Sequence, residues 1–505
     1  MKILIKAGSA ILVAVLLVFL SCFFGSSFKI THEALHKAIN DKKQIDLIEP
    51  AVSGMLNREY GSVFSFVHDF KAAINNLNDE NRKLQNWDHL IYNDYTFAVT
   101  KNSNYGFVSD HRLLLLLLLL FLIVAGSALY IVPKYAFRSP GIHNNHIFFN
   151  KLNALGWIGI VLGFLLIVFY ILLYFYPEYM TNWVILVDPL SNLTNGHDAS
   201  QWYLYGFLYT LAILVMGMRM LLKYRGNLYQ QVRTASVIFF QTAFAFIIPE
   251  ILVALNKPWH DFKNIWPLDY TFFYDWRVSN FIAGGTLGWF MLFWGIVLII
   301  VVVPVFTYFF GKRWYCSWVC GCGGLAETLG DPFRQLSNKS LLAWKIERVS
   351  VHSVLVLAVI MTSVTLINFF SQYKILGNET QEVHKWYGFL IGSIFSGVVG
   401  TGFYPLMGNR MWCRFGCPLA AYIGLVQRFK SRFRITTNGG QCISCGNCST
   451  YCEMGIDVRW YAQRGENIVR SSCVGCGVCA AVCPRGVLRL ENAGEKGRFE
   501  FHPIA

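Results

Sequence analysis

Long apolar runs alternate with short charged ones along this chain. Runs close to the ~20 residues that cross a hydrocarbon core occur at residues 3–28, Leu113–Val132, Trp157–Tyr176, Leu204–Leu222, Ala235–Leu255, Ile282–Phe309, Val351–Phe370 and Gly388–Leu406. They predict about eight transmembrane helices. Residues 29–110 are polar and helix-compatible, broken at Pro50, and past residue 436 the apolar runs stop. The chain thus divides into four regions: a membrane anchor or signal sequence (1–28), an extracytoplasmic helical domain (29–110), a multi-helix membrane domain (111–435) and a tail of different character (436–505). The fold class is an all-α polytopic membrane protein with a C-terminal α+β domain.

Charge sets the orientation, because basic loops stay in the cytoplasm. With Lys2 and Lys6 inside, residues 29–110 are outside and the loop with Lys134, Arg138 and Lys151 is inside. The acidic loop with Glu178, Asp188 and Asp198 is outside, and Lys223, Arg225 and Arg233 are inside. Residues 256–281 then fall outside, Lys312 to Lys345 inside, and 371–385 outside. This puts the tail in the cytoplasm.

Composition agrees with the spans. Of the 505 residues 55% are hydrophobic and 14% charged, with a mean hydropathy of +0.43. The net charge of +14 does not signal nucleic acid, since the basic residues gather at the ends of apolar runs. Thirteen of the fourteen cysteines lie beyond residue 315, whereas a disulfide framework would spread through exported loops.

The tail carries two runs of C-x2-C-x2-C-x3-C, Cys442-Cys445-Cys448-Cys452 and Cys473-Cys476-Cys479-Cys483. That is the spacing of a two-cluster bacterial-type ferredoxin, in which the fourth cysteine of each run serves the other cluster. Cys442, Cys445, Cys448 and Cys483 are therefore expected on one [4Fe–4S] cluster, and Cys473, Cys476, Cys479 and Cys452 on the other. Paired zinc knuckles or disulfides are the alternatives. Pro484 closes the second run, but Glu453 stands where the first would have proline.

A second pattern lies at the membrane. Residues 311–324 read GKRWYCSWVCGCGG and 408–421 read GNRMWCRFGCPLAA. Both contain G-x-R-x-x-C-x-x-x-C, 97 residues apart, which suggests a parallel internal repeat. On a helix, i and i+4 share a face, so Cys316/Cys320 and Cys413/Cys417 would converge, with Cys322 as an extra thiol. They form a candidate third iron–sulfur or metal site at the cytoplasmic membrane edge. Arg313 and Arg410 would favour thiolate there. Buried free cysteines with ordinary topology arginines are the alternative.

Spanning helices, paired C-x3-C motifs and a two-cluster tail together resemble the membrane polyferredoxins of the NapH/NosR type, with the copper-handling cytochrome oxidase accessory proteins as a related branch. Cys413-Arg-Phe-Gly-Cys417-Pro418 matches the family's C-x3-C-P; Cys316–Cys320 matches in part, with Gly321 for proline. The resemblance covers residues 205 to 490. It implies electron transfer at the bacterial inner membrane, from quinol or a cytoplasmic donor, as part of a multi-subunit system with redox partner proteins on the cytoplasmic or periplasmic side.

Other candidates are single residues. Glu250, inside an apolar run, and His260 are a candidate quinol or proton site, the alternative being a solvated helix end. His352 reads as a hydrogen-bonded structural histidine, and His143 and His146 as an exposed turn. No C-x-x-C-H occurs, so no c-type haem is expected. The function expected is membrane iron–sulfur electron transfer, an electron-transfer component rather than a stand-alone enzyme. The alternatives are a copper reduction or assembly factor, since soft thiolates suit Cu(I), and a redox-sensing scaffold. The segment 419–436 is expected as an interfacial basic helix and linker lying on headgroups.

Overall fold

A computed structural model describes residues 1–137, 149–375, 377, 379–438 and 441–492; His143 and His146 lie outside the described residues. Seven of the described helices are long and apolar enough to cross a membrane: Lys2–Phe24, Arg112–Tyr135, Trp157–Phe175, Gln201–Lys223, Leu228–Ala254, Gly285–Phe310 and Leu341–Phe370. At 1.5 Å per residue even the shortest spans ~28 Å. Their outward residues, among them Phe121, Phe164 and Phe293, are large and apolar, as a lipid-facing surface requires. The run expected as the eighth span is also helical. Glu379–Tyr387 continues through a π-helical stretch, Gly388–Val399, into Gly400–Gly402. Its five glycines from Gly388 to Gly402 leave it less apolar than the seven.

The chain folds as two compact units, residues 1–134 with 171–208, and 135–170 with 209–505. The first adds a small antiparallel sheet to the expected helices. Strand Ser27–Lys29 lies between Glu59–Tyr60 and Asn104–Tyr105, with Phe28 opposite Tyr60 and Asn104. Phe28, Leu35, Phe66, Phe70 and Val99 form its core. Pro50 sits in the last turn of Lys42–Ala51, where it ends that helix rather than splitting the domain. Residues 171–208, read as the end of a span and a loop, belong to this unit. Buried Glu178 takes Lys71 at 2.7 Å, and Asp188 takes Lys101 at 2.8 Å and Arg112 at 3.3 Å. The two segments that charge alternation assigns to one side thus pack together.

In the second unit the expected interfacial linker is instead structural. Helix Pro418–Lys430 packs against Val303–Phe310 and Leu341–Phe370, burying Leu419, Ala420, Ile423 and Gln427. Near its start Tyr422 donates to the Ile299 carbonyl at 3.1 Å, a group in the middle of the Gly285–Phe310 span. Strand Phe433–Thr437 follows, buried throughout, and pairs antiparallel with Leu488–Asn492. One hydrophobic core runs without a break from Leu298 and Val303 through Cys316, Cys413 and Ile423 to Ile435, Val474 and Val487. The cysteine-rich tail is therefore built onto the membrane helices rather than hung from them.

Candidate functional site

The two membrane motifs are the same piece of backbone used twice. Gly311 and Gly408 end their helices at φ +65° and +93°, a region that suits glycine. One helical turn follows in each copy, Arg313–Cys316 and Met411–Phe415. The turn then closes on one carbonyl. Tyr315 O accepts from Val319 N and Cys320 N, and Trp412 O from Gly416 N and Cys417 N, all within 2.8–3.0 Å. The second cysteine of each pair begins the next helix, Gly321–Thr328 or Pro418–Lys430. Cys417 Sγ accepts from Ala420 N at 3.4 Å. The cysteines thus flank a break in the helix and do not share a face of one; the bend is what turns them inward.

All five thiols gather. Cys316, Cys320, Cys413 and Cys417 are 6–7% exposed and lie in one core with Cys322 packed against it. The fields of Cys413, Cys320 and Cys316 all reach Cys417. The site lies beside the Leu228–Ala254 helix and not beyond its end. A Cβ on Gly321 would meet Gln241 Oε1 at 3.0 Å and Tyr209 Oη at 3.1 Å, and Gln241 is the midpoint of the Leu228–Ala254 span. Gln241 also donates to Val319 O at 3.1 Å. From the other direction the 256–281 loop folds inward. Its Phe262 carbonyl takes Trp294 Nε1 at 3.0 Å, and its Lys263 carbonyl takes Tyr315 Oη at 2.9 Å. Three π-helical stretches, Phe240–Ile247, Leu298–Val302 and Gly388–Val399, each send a residue to this centre: Gln241, Ile299 and Phe395. Such stretches free backbone groups and collect at functional sites.

The paired arginines do not act alike. Arg410 is fully buried, with Nη1 3.6 Å from Cys413 Sγ and 3.2 Å from Cys316 O. Arg313 instead turns to the tail, lying over the Phe433 ring at 4.8 Å and bonding Asn492 at 2.8 Å. Nor do these charges make every thiol a thiolate. Burial pushes Cys316 up to about 12 although Lys312 and Arg410 oppose it, and it raises Cys413 and Cys417 as well. Cys320 alone falls, to about 6, because Cys322 donates a hydrogen bond to it.

In the tail, Cys442, Cys445, Cys448 and Cys483 line one pocket with Ile443, Arg459 and Arg485. Cys445 is exposed. Cys479 feels the charges of Cys476, Cys473 and Cys452. Cys448, of the first pocket, acts on Cys479 as well, so the thiols of both runs lie near one another. No cysteine is in a disulfide, and burial raises Cys448 and Cys473 to about 11. Such thiols need a metal to displace their protons, and four converging soft donors fit an iron–sulfur cluster.

The second set is docked on the membrane domain. Ser317 donates to Val474 O at 2.8 Å, Tyr229 to Gly475 O at 2.7 Å and Gln230 to Cys476 O at 2.7 Å. Gln427 donates to Arg470 O and Cys473 O at 2.7 and 2.9 Å, and Lys312 to Ser471 O at 3.3 Å.

Between this set and the membrane thiols lies a buried ion-pair network that spacing alone did not reveal. Glu453, in the place of the missing proline, is 1% exposed and pairs with Arg334 at 2.9 Å and Arg410 at 3.0 Å. Glu327 pairs with Arg233 at 2.5 Å, with Arg410 at 2.7 Å and with Arg334. Asp331 takes Arg334, Arg219 and Lys223 within 2.8–2.9 Å. Burial would raise the Glu327 carboxyl, but its three guanidiniums hold it well below the usual range. Glu327, Glu453 and Cys476 bring ligand atoms within 4.8 Å of one another, but Arg334 and Arg410 already engage both carboxylates.

The remaining candidates are separate. His260 is 1% exposed, its ring against Phe262 and Phe281 at centroid distances of 4.9 and 5.3 Å. Glu250 is half-buried four residues from the end of its span. His352 bonds the Arg348 carbonyl at 2.6 Å, a structural role.

Two family profiles match the chain. One, described as a 4Fe-4S binding domain, matches twice, at residues 290–340 and 387–436, so each match holds one membrane motif. The other, a 4Fe-4S dicluster domain, matches residues 413–488. The chain is 27% identical over 166 residues to YccM of Escherichia coli (strain K12), whose name proposes a role in electron transport; this is 29% of the chain and 43% of the relative. It is 25% identical over 154 residues, 30% of the chain and 52% of the relative, to the methylamine utilization ferredoxin-type protein MauN of Methylobacillus flagellatus. The chain spans about half the length of these curated relatives. No solved structure gives a significant match. Over these residues the chain carries 4Fe-4S binding and dicluster domains beside seven apolar helices, and it is similar to proteins named for electron transport and as ferredoxin-type.

Proposed function

We propose that this chain moves electrons between a carrier at the exposed face of its tail and the middle of its membrane domain. The residues would hold three redox centres in line. Cys442, Cys445, Cys448 and Cys483 hold the outer [4Fe–4S] cluster, and Cys452, Cys473, Cys476 and Cys479 the inner one. Cys316, Cys320, Cys322, Cys413 and Cys417 supply the ligands of a third centre. When bound, such clusters supply one-electron transfer, and the protein supplies position and electrostatics. The observation that carries this reading is the Ser317–Val474 bond at 2.8 Å, which joins the first membrane motif to the Cys473–Cys476 loop.

Thiol spacing supports a cluster over copper at the third centre. A tetrahedral thiolate site, with metal–sulfur bonds of about 2.3 Å, holds its sulfurs about 3.8 Å apart. Among the described residues, the one group of three or more ligand atoms within 4.8 Å of one another is Glu327, Glu453 and Cys476. Cys320 and Cys322 are within hydrogen-bond distance of each other, but no third membrane thiol joins them within 4.8 Å, as a single tetrahedral ion needs.

The carrier would dock in the cytoplasm of a bacterium, with the spans in the inner membrane and further subunits beside them. A quinone/quinol couple would serve as the membrane-side partner, Glu250 exchanging its proton. His260 would do so poorly, because burial and Arg277 lower its pKa to about 3.

Iron and acid-labile sulfide counts on anaerobically purified protein test the reading. Three [4Fe–4S] centres give about twelve irons and two give about eight. Cys413→Ser with Cys417→Ser should remove about four and leave the tail's iron in place. A count of about eight unchanged by that double substitution removes the third centre, and fewer than about six removes the two-cluster tail as well.

A further inference from the structure

The buried network between the inner tail thiols and the membrane thiols carries unequal charge. Five cationic side chains, Arg219, Lys223, Arg233, Arg334 and Arg410, meet three carboxylates, Glu327, Asp331 and Glu453. Each member's side chain is at most 13% exposed. Two positive charges are left over where water cannot screen them, and an uncompensated buried charge is strongly unfavourable. Two of these cations touch sulfur: Arg334 Nη1 lies 3.9 Å from Cys476 Sγ, and Arg410 Nη1 lies 3.6 Å from Cys413 Sγ. Glu453 and Glu327 each bind both guanidiniums, so the pair is held as one rigid bridge. The outer thiols have no such bridge; Cys445 is open to solvent.

We propose that Arg334 and Arg410, locked by Glu327 and Glu453, set the order of reduction potentials so that electrons run inward, from the Cys445 side to Cys476 and on to Cys413. This rests on the cluster assignments above and adds a direction to them. Reduction adds one negative charge to whatever redox group the cysteines hold. Hydrogen bonds to sulfur, local charge and solvent access set what that costs. Burial alone would lower the potentials of the inner groups, since a buried anion is costly. The guanidiniums and the surplus of two cations oppose burial and reverse the order. Each transfer oxidises the outer group and reduces the inner one by a single electron, with no bond made or broken. The first electron comes from a soluble one-electron carrier of low potential. Arg334 and Arg410 are the potential-setting residues and Glu453 a positioning residue, standing where the two-cluster spacing has proline.

The test is a redox titration of the full chain in detergent, poised with dithionite and read by electron paramagnetic resonance. Signals are assigned by Cys445→Ser, Cys476→Ser and Cys413→Ser. The inner and membrane signals should appear at higher potential than the outer one. Arg334→Gln should shift the Cys476 signal to lower potential and Arg410→Gln the Cys413 signal, with the Cys445 signal unmoved. Glu453→Gln, which keeps size and removes one anion, should shift both upward. If the outer group of the unsubstituted protein is reduced at the highest potential, the proposal is overturned whether or not any variant folds. It is also overturned if the Arg334→Gln and Arg410→Gln proteins retain the order and spacing of the original. An iron count of about twelve in the same samples separates this failure from failure of the cluster assignments.

Discussion

Ser317 donates its hydroxyl to the Val474 carbonyl across 2.8 Å, 157 residues along the chain. Ser317 follows the first cysteine of one membrane motif, and Val474 follows the first cysteine of the second tail run. The bond therefore fixes one cysteine loop against another. Electron transfer needs such fixed separations, and a tail on a loose tether would not keep them.

Docking is open to a direct test through Gln427, which makes two of its bonds and is itself held by the backbone of the first membrane motif. Its Oε1 accepts from Lys312 N at 2.5 Å, while its Nε2 serves Arg470 O and Cys473 O. A buried hydrogen bond contributes ~1 kcal/mol, and a partner left unsatisfied costs ~1–3 kcal/mol. Gln427→Leu with Ser317→Ala should loosen residues 470–477 and speed their amide exchange several-fold. Exchange around Cys442–Cys448 should not change.

Gly408 is the hinge of the second motif. Its φ is +93°, and a Cβ there would lie 2.4 Å from Ser337 Oγ and 2.8 Å from Ser337 N. Backbone strain of this kind costs ~1–3 kcal/mol, before the clash is added. Gly408→Ala should lower the melting temperature in detergent and release iron from the Cys413–Cys417 motif first. Gly54, with nothing near its would-be Cβ, is the control, and Gly54→Ala should leave both readouts alone.

The legible part of the sequence was local. Hydropathy marked the spans because an apolar run of ~20 residues has few other uses. Cysteine spacing named the tail because a cluster fixes the turn that holds it, and the duplicated motif is duplicated backbone. That the thiols sit beside a neighbouring span was not legible. Hydropathy puts the residues after a span outside the membrane, whereas Val319 returns to Gln241 at mid-span. The helix break was hidden because Tyr315 O and Trp412 O each take two amides, which i, i+4 spacing does not encode. Glu453 was noticed only as a lost proline. Its partners Arg334 and Arg410 lie 119 and 43 residues away, and no local pattern pairs residues at that range.

His260 should make the protein acid-labile. Its pKa falls from 6.5 to about 3, through burial first and Arg277 second. Below pH 6.5 the unfolded chain binds a proton that the folded one refuses. Stability is therefore full above pH 6.5 and declines between 6.5 and about 3, by up to about 1.4 kcal/mol per pH unit. His260→Phe should flatten that decline in melting curves taken between pH 7 and pH 5. An equal decline in the variant would assign the acid sensitivity to other groups.

Arg459 and Arg485 line the pocket of the outer thiols, and both are exposed. Rim charges of this kind act mainly on association rate. Arg459→Glu with Arg485→Glu should slow reduction by an acidic one-electron carrier by ~10-fold or more at low salt. It should also weaken or invert the salt dependence of the rate, because screening acts on the attraction that has been removed and on the repulsion that replaces it. Reduction by dithionite sets the baseline for reactivity in both proteins. Faster reduction by the acidic carrier would mean that the basic rim does not attract it.

Depth can be tested at Gln241. A C-x3-C motif resting on the membrane edge would not feel a substitution at the midpoint of a span. In the structure, Gln241 is that midpoint, and its amide donates to Val319 O at 3.1 Å, one residue before Cys320. Gln241→Leu keeps the volume and leaves the Val319 carbonyl without this donor, at a cost of ~1–3 kcal/mol. The loss falls on the turn that aims Cys320 and Cys322. Iron should therefore drop by about four atoms from a total of about twelve, while the signals of the tail clusters persist. Gln241→Glu should do the same, since a carboxylate cannot donate and would be buried at mid-span. Retention of all the iron in both variants would return the thiols to the membrane edge.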